Sequence, residues 1–351
     1  EVAGTIDASS NTKGGDIEIT GKEIQIKSNS KLLATGDTGG GNILVGGDWQ
    51  GSNGILQATY TTVEKDTLID TSSLGVGDGG KIVVWSDITN KNSLTNVQGS
   101  LEAKGGLNGG DGGKIETSGH QVYLDGIKIS ASATQGSSGT WLIDPYDVVI
   151  GTSSSGTAYS NDFVPGTSSY ILASNINTSL NAGTNVSIST GSNAAGTLTL
   201  SSAISKTSGG NATLSLTGGT ININQTISGS SSSGSLGITL DAQTINSNYL
   251  MTVNGGALDV TTVNASTLGA VAGSGQFNLH GYGITLNDSR NGTYTGATTI
   301  DSGATLQLNY GALGGDITNN GTLFFNNPQT INYAGVISGT GALRQDYGAL
   351  Y

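Results

Sequence analysis

The chain has 351 residues, a formal net charge of −12 and no cysteine. This charge argues against a basic surface that would neutralise nucleic-acid phosphates or anionic membranes. Only 34% of the residues are hydrophobic, while glycine occurs 58 times, which argues against ordinary compact cores in a chain of this length. Because Ile, Val and Leu recur in regular short bursts, the composition favours a repeat architecture over disorder.

The chain begins and ends within its repeat pattern, so we expect an internal piece of a larger protein. No apolar run approaches the length of a membrane-spanning helix, and the N-terminus lacks the pattern of a signal peptide. The lack of cysteine is compatible with a secreted chain that crosses an outer membrane unfolded, because a disulfide would obstruct its passage. It is also compatible with a cytosolic protein.

The first half repeats a glycine pair, one polar residue and an alternating apolar burst. The copies are residues 14–19 (GGDIEI), 40–45 (GGNILV), 79–84 (GGKIVV) and 112–117 (GGKIET). Alternation with period two predicts short strands, and the glycine pairs beside Asp, Asn or Lys predict turns. No stretch keeps a 3.6-residue period long enough to predict a helix.

The repeat returns after roughly 25 residues, about the length of one coil of a three-sided parallel β-helix. Hairpin dipeptides do not separate paired bursts systematically, which argues against a sandwich or barrel. We therefore predict an all-β fold, a parallel β-helix. Where the interval is longer, the surplus predicts an extruded loop from Asp48 to Asp66. One coil alone would not be stable, because ordering its roughly 22 residues costs about 1–2 kcal/mol each, whereas its roughly six inward aliphatic side chains gain only about 1.5–3 kcal/mol each.

The densest apolar run, residues 139–150 (GTWLIDPYDVVI), marks a change in composition. Ten of the thirteen lysines and arginines precede it. Pro145 fixes its own φ and biases Asp144 towards an extended conformation. The run therefore predicts two strands, residues 141–143 and 148–150, joined by a turn and forming two sides of one coil.

The first 150 residues carry a series of motifs in a set order. They are residues 46–51 (GGDWQG), 58–63 (ATYTTV), 77–87 (GDGGKIVVWSD), 103–106 (AKGG), 109–113 (GGDGG), 116–120 (ETSGH) and 139–145 (GTWLIDP). Together they resemble the repeat region of filamentous-haemagglutinin-like exoproteins. The resemblance implies a right-handed β-helix in a large bacterial adhesin, exported by a two-partner pathway through an outer-membrane translocator.

In the second half the strand bursts continue with little charge, and Ser, Thr and Asn on outward faces are expected to hydrogen-bond between coils. Residues 229–234 (GSSSSG) predict a corner loop.

The last sixty residues carry a second series of motifs. Residues 291–300 (NGTYTGATTI), 303–306 (GATL), 319–323 (NNGTL) and 333–343 (YAGVISGTGAL) resemble the passenger-associated repeat of autotransporters, which also implies a secreted β-helix. The two families differ in export route, so that route stays open.

These resemblances divide the chain into three regions of one continuous rod. Residues 1–150 hold the haemagglutinin-type repeats, residues 151–290 the Ser/Thr/Asn-rich coils, and residues 291–351 the autotransporter-type repeat.

The sequence predicts no catalytic residue, no cofactor and no metal site. Glycan-degrading enzymes need clustered carboxylates, often with Arg or Lys, and the only two arginines lie far from the acidic first half. Acidic residues such as Asp78 and Asp111 stand beside glycine, where turn chemistry explains them better than calcium binding does. His120 and His280 are distant in sequence, and each is expected to be a surface or turn residue.

A ligand-contact loop is expected around Trp49, Gln50 and Tyr60. Amphipathic aromatic residues on a polar loop suit a carbohydrate or a protein surface. The alternative is that Trp49 and Tyr60 cap the side of a coil. Sequons at Asn211 and Asn291 leave glycosylation open.

The favoured function is a structural and adhesive stalk of a bacterial cell-surface or secreted adhesin, located outside the cell. Its partner would be a protein or glycan on a host or neighbouring cell. One alternative is a self-associating filament or matrix subunit, because uncapped repeat ends expose strand edges. The other is a polysaccharide-degrading β-helix enzyme.

Overall fold

The computed structural model describes residues 1–152, 168–191, 195–230, 234–289, 293–311, 313–327, 330–347 and 350. The chain forms two compact units, Glu1–Gly196 and Thr197–Tyr351, and both are almost entirely β-structure. The middle of the corner loop expected at residues 229–234 and the sequon at Asn291 lie outside the described residues. The predicted boundaries near residues 150 and 290 stay predictions.

The first unit is built from strands of three to five residues. They are β1 (Thr5–Asp7), β2 (Asp16–Ile19), β3 (Glu23–Ile26), β4 (Lys31–Leu33), β5 (Asn42–Val45), β6 (Tyr60–Val63), β7 (Leu68–Asp70), β8 (Lys81–Trp85), β9 (Leu94–Val97), β10 (Ser100–Glu102), β11 (Lys114–Ser118), β12 (Gln121–Tyr123), β13 (Lys128–Ser130), β14 (Thr140–Asp144), β15 (Val148–Gly151), β16 (Ser169–Leu172) and β17 (Asn185–Ser189). A 3-10 turn, η1 (Trp49–Gly51), and a helix, α1 (Ala173–Asn181), complete the unit.

These strands pair in three parallel ladders. The first ladder is β1–β4–β7–β10–β13, the second is β2–β5–β8–β11–β14–β17, and the third is β3–β6–β9–β12–β16–β15. Asp16 of β2 lies opposite Asn42 of β5, and their side chains are hydrogen-bonded across a sequence separation of 26 residues. The expected spacing of roughly 25 residues is therefore confirmed for this part of the first unit.

The second unit contains a further set of strands. They are β18 (Thr197–Leu200), β19 (Ile204–Lys206), β20 (Ala212–Ile223), β21 (Ile227–Gly229), β22 (Leu236–Ser247), β23 (Leu250–Thr252), β24 (Ala257–Thr262), β25 (Ser266–Leu268), β26 (Ala270–Ala272), β27 (Gln276–Gly281), β28 (Gly283–Leu286), β29 (Thr298–Ile300), β30 (Thr305–Leu308), β31 (Ile317–Asn319), β32 (Thr322–Phe325), β33 (Ile337–Ser338) and β34 (Ala342–Gln345). Their pairings are parallel as well.

The repeats of the second unit vary in length. Asn222 and Asn246 bond across 24 residues, Asp259 and Asn278 across 19, and Asn309 and Asn326 across 17. The side chains of Asn287, Asn309 and Asn326 are linked in one ladder. The expectation that outward side chains bond between repeats is confirmed for Asn at these positions.

The core of the first unit consists of columns of inward residues in register. One column runs along the second ladder, and all its members are at most 7% exposed: Ile17, Ile43, Ile82, Ile115, Trp141 and Val186. Parallel pairing stacks equivalent positions of successive repeats, so each layer shields the next from water. The predicted all-β class and its inward alternation are thus observed as extensive parallel sheets.

The helix α1 was not predicted from the sequence. Ala173, Ile176 and Leu180 are buried and lie on one face of this helix, at spacings of three and four residues. The Asn175 side chain donates a hydrogen bond to the Leu124 carbonyl at 2.7 Å. With nine residues, the helix is too short for its period to stand out. Among the described residues, no helix has the length and apolar character to cross a membrane.

The densest apolar run folds as predicted. Strands β14 and β15 flank Pro145, and they belong to the second and third ladders respectively. Trp141 faces the interior, where its Nε1–H donates to the Thr117 hydroxyl at 3.0 Å.

The loop expected from Asp48 to Asp66 is shorter than predicted. It contains the turn η1, and β6 begins already at Tyr60.

Candidate functional site

Residues 46–57, called here the strap, cover part of the outer face of the second ladder, at β8 and β11. The strap begins directly after β5 and reverses at η1, where Gln50 has a φ of 51°. The Asp48 side chain accepts a hydrogen bond from the Trp49 N–H at 2.7 Å. The closest approach to the Trp85 indole is at Gly47, where an added Cβ would lie 2.4 Å from Cδ1 of Trp85. Only glycine lets the backbone lie this near the indole.

Two outward lysines reach the strap. Lys81 of β8 and Lys114 of β11 are register neighbours, so their like charges need separate partners. Lys81 Nζ lies 2.6 Å from Asp48 Oδ1, and Lys114 Nζ lies 5.7 Å from the centroid of a Trp49 ring, within cation–π range. Burial by itself would raise the pKa of Asp48. Hydrogen bonds from Lys81, Asn53 and the Trp49 N–H outweigh burial and lower this pKa.

Glu116 lies beneath the strap. It is an outward residue of β11 with 0% exposure. Its Oε2 accepts a hydrogen bond from the Gln50 N–H at 2.9 Å, and its Oε1 accepts one from the Ser118 hydroxyl at 2.9 Å. Burial raises the pKa of Glu116 to about 8, although the two hydrogen bonds oppose this shift; the charges of Asp144 and Asp48 raise it further. This carboxyl is therefore mainly protonated at neutral pH.

Asp144 and Trp85 lie on the next outward row, on either side of Ser118 in register. Asp144 is 7% exposed, and its Oδ1 has no hydrogen-bond partner among the described residues. Burial raises the pKa of Asp144 to about 7. Trp85 is also buried, and its Nε1–H donates to Gln57 Oε1 at 3.1 Å. Trp85, Glu116 and Asp144 thus form a closed cluster at and beside the strap rather than an open cleft.

Of the three expected ligand-contact residues, two lie together and the third lies in a strand. Trp49 and Gln50 share η1, where Trp49 is half-buried and Gln50 is exposed. Tyr60 instead lies half-buried in β6, in register with Glu23 and Leu94 of the third ladder. The position of Trp49 beside Lys114 fits the alternative interpretation, in which this side chain caps the side of a repeat.

The acidic turn residues act as turn caps. Asp78 Oδ1 accepts the Asp111 N–H at 2.8 Å, and Asp111 Oδ1 accepts the Ser137 N–H at 2.7 Å. Each carboxylate thereby fixes the corresponding turn of the following repeat. Within the described ranges, no three His, Cys, Asp or Glu side chains converge in a way that would hold a metal ion.

Both histidines lie at the surface. The His120 ring is stacked on Tyr146 with centroids 4.8 Å apart, and its Nδ1 lies 3.0 Å from the Ile88 carbonyl oxygen. His280 is in β27, and its Nδ1 lies 2.6 Å from Asp301 Oδ2.

A groove lies where β7, β10 and β13 of the first ladder end. Asp70, Glu102 and Ser130 are aligned in register at these ends. The groove occupies about 210 Å³ and is lined by residues that follow in three successive repeats: Asp70, Ser72, Ser73, Leu74, Lys104, Gly105, Leu107, Ser132 and Thr134. Leu74 is 51% and Leu107 is 67% exposed, so the groove has two aliphatic walls open to solvent.

Hydroxyl groups form the polar part of this groove. Ser72 Oγ accepts the Lys104 N–H at 3.0 Å, which leaves its own O–H free to donate. Ser73 is 4% exposed, and its Oγ has no hydrogen-bond partner within the described part of the chain. Asp70 Oδ1 accepts the Ser72 N–H, and Lys104 Nζ is paired with Glu102. The hydroxyl groups of Ser72 and Ser73 and the carboxylate of Asp70 can therefore form further hydrogen bonds, and the charge of Lys104 is neutralised by Glu102.

No family model matches the chain. A comparison with curated proteins also finds no match. The resemblance to haemagglutinin-like and autotransporter repeats therefore rests on the motifs themselves.

Those motifs do meet in space. The strap motif contains Asp48, and Trp85 and Glu116 from two other motifs are hydrogen-bonded to strap residues. Asp144, from a fourth motif, lies in register with Ser118, and its charge raises the pKa of Glu116. Glu116 and Asp144 were not predicted to be a buried pair. A signal was present: the positions in register with Glu116 hold Leu44, Val83 and Leu142, and a row of outward apolar residues indicates a covered face.

Proposed function

We propose that the chain is a right-handed parallel β-helix that serves as a structural and adhesive segment of a bacterial cell-surface or secreted protein. The observation that carries the proposal is the stacking of equivalent positions in three parallel ladders, with aliphatic columns inside and bonded polar rows outside. Such a scaffold gains stability with every added repeat and presents a long lateral surface. The two motif resemblances support the same class of protein.

An adhesion assay tests the functional part of this proposal. Beads coated with the folded chain should attach to cultured cells or to immobilised matrix proteins and glycans. The control is Ile82→Asp, which places a charge in the inward column and should unfold the first unit. Equal attachment of both coatings, or attachment by neither, contradicts the proposal.

The two alternatives give different results in the same system. A filament subunit would make coated beads aggregate with one another in the absence of cells. An enzyme would release new reducing ends from a panel of polysaccharides. Handedness follows from an experimental structure, and a left-handed path of the chain would refute that part of the proposal.

A further inference from the structure

We propose that the groove at the ends of β7, β10 and β13 binds one neutral sugar residue of a surface glycan. The inference takes its biological meaning from the proposed adhesive function. It is carried by Ser72, Ser73, Asp70 and the two exposed leucines.

The two apolar walls of the groove favour a sugar ring as the ligand. Leu74 and Leu107 belong to successive repeats and are more than half exposed, whereas the aliphatic residues of the inward columns are buried. Aliphatic side chains that flank a polar floor provide a contact for the C–H face of a sugar ring. A bound ring would remove both side chains from water.

An unsatisfied hydroxyl in the lining favours a polar ligand. Ser73 Oγ is buried and unpaired among the described residues, which is costly for a polar group. The free O–H of Ser72 and the carboxylate of Asp70 lie in the same lining. A sugar hydroxyl both donates and accepts hydrogen bonds, so a polyhydroxyl ligand matches this mixed set of donors and acceptors.

Charge selects a neutral ligand. Lys104 is compensated by Glu102, and Asp70 adds a negative charge to the lining. The chain as a whole carries a net charge of −12. A sulfated or uronic sugar would therefore meet repulsion without a free cation to bind it.

Backbone pairing argues against a peptide as the ligand. The N–H of Ser73 donates to the Lys104 carbonyl, and the N–H of Gly105 donates to the Ser132 carbonyl. These groups already bond the next repeat, so an added peptide strand could not use them.

Size and openness set the affinity. A volume of about 210 Å³ is below the ~300–1,000 Å³ of pockets for drug-sized molecules, which suits one sugar ring. For a ligand of about a dozen non-hydrogen atoms in an open groove, we expect a dissociation constant of about 1 mM.

Saturation-transfer NMR on the full chain tests the proposal. The probes are the methyl glycosides of glucose, galactose, mannose and N-acetylglucosamine, together with methyl glucuronide and a capped leucine-containing tripeptide. At least one neutral glycoside should give a signal, and Leu107→Ser and Ser73→Ala should each reduce it by about fivefold or more. Leu56→Ser is the matched control, because Leu56 is 62% exposed on the strap and should leave the signal unchanged.

Ser73→Ala also separates binding from folding. Removing an unpaired buried hydroxyl should leave the melting temperature unchanged or raise it, so a lost signal would not reflect unfolding. No signal from any neutral glycoside, a signal that survives Leu107→Ser, or a stronger signal from the glucuronide or the peptide overturns the proposal. If Leu107→Ser beads still adhere to cells while the sugar signal is absent, the adhesive function stands without this site.

Discussion

The backbone N–H of Gln50 donates a hydrogen bond to Oε2 of Glu116 over 2.9 Å, although the two residues are 66 positions apart in sequence. This contact ties the strap to β11 through a carboxyl group that is 0% exposed. The strap is therefore bonded to a carboxyl group whose pKa is raised by burial, and the stability of the first unit should depend on pH.

Replacement of Glu116 by Gln should remove part of the pH dependence of stability. The pKa of Glu116 is raised from 4.5 to about 8, so the folded chain holds this proton more tightly than the unfolded chain. The stabilising effect is fully present below pH 4.5 and is lost as the pH rises to about 8, by about 1.4 kcal/mol per pH unit. Denaturant unfolding across this range should show a shallower slope for Glu116→Gln, with the variant more stable than the wild type near pH 8.

The matched control for this change is Glu18→Gln. Glu18 lies in the same outward row, opposite Leu44, but is exposed. Its replacement should leave the slope unchanged. A Glu116→Gln variant with the wild-type slope would show that burial of this carboxyl does not set the pH dependence.

The strap should loosen as Asp144 and Glu116 lose their protons. The pKa values of about 7 and 8 place both ionisations near neutral pH, and two buried negative charges would then lie close together, one of them hydrogen-bonded to the strap. In a variant with Trp49→Phe and Trp141→Phe, Trp85 is the only remaining tryptophan. Acrylamide quenching of its fluorescence should rise between pH values of about 7 and 9.

Adding Asp144→Asn and Glu116→Gln to that background should abolish the rise in quenching, because neither side chain can then ionise. Quenching that still increases with pH in this variant would assign the opening to other groups.

Gly47→Ala should destabilise the first unit. The new Cβ would lie 2.4 Å from Cδ1 and 2.8 Å from Cγ of Trp85, whose side chain is held by Gln57. The strap or the indole must move, at a cost of about 1–3 kcal/mol. Thermal unfolding measures the loss. Gly21→Ala serves as the control, because its nearest contact would be an ordinary 3.5 Å, and an equal loss in both variants would refute the steric explanation.

Tyr294→Phe should destabilise the second unit by about 1–3 kcal/mol. Tyr294 is fully buried, and its hydroxyl lies 2.8 Å from the Gly275 carbonyl oxygen and 2.7 Å from that of Ala297. Burial raises the pKa of Tyr294 to about 12, so the hydroxyl remains a donor at any ordinary pH. Denaturant unfolding of Tyr294→Phe gives the difference, and Tyr310→Phe, at a position 52% exposed, should cost little. Equal effects in the two variants would contradict a role for the buried hydrogen bond.

The inward columns were predictable because strand alternation is a local property. Ile43, Ile82 and Ile115 follow glycine pairs at equivalent positions, and the structure buries all three. The turn role of Asp111 was predictable for the same reason, because its neighbouring glycines indicate the turn. The helix α1 was missed, since three apolar residues within nine positions do not stand out from the serine-rich background.

Contacts between distant parts of the chain determine which outward residues are buried. Glu116 has the local pattern of an exposed residue, and only the reversal at Gln50 covers it. Tyr60 was assigned to a loop because residues 48–66 lack the glycine-pair motif, whereas its pairing with Glu23 and Leu94 makes it part of a strand. Parallel pairing joins residues tens of positions apart, so register cannot be inferred from neighbours along the chain.

The sequence by itself determined the all-β class, the inward aliphatic positions and the turn residues, because period and glycine placement act over a few residues. The tertiary structure alone decided that the strap covers Trp85 and Glu116 and that Asp144 is buried on the same outward row as Trp85. It also decided that Ser73, in a groove with two exposed leucines, has no hydrogen-bond partner among the described residues. The physical reason is that an outward side chain is buried only if another segment of the chain covers it. The stacking of repeats determines which segment does so, and the local sequence pattern does not.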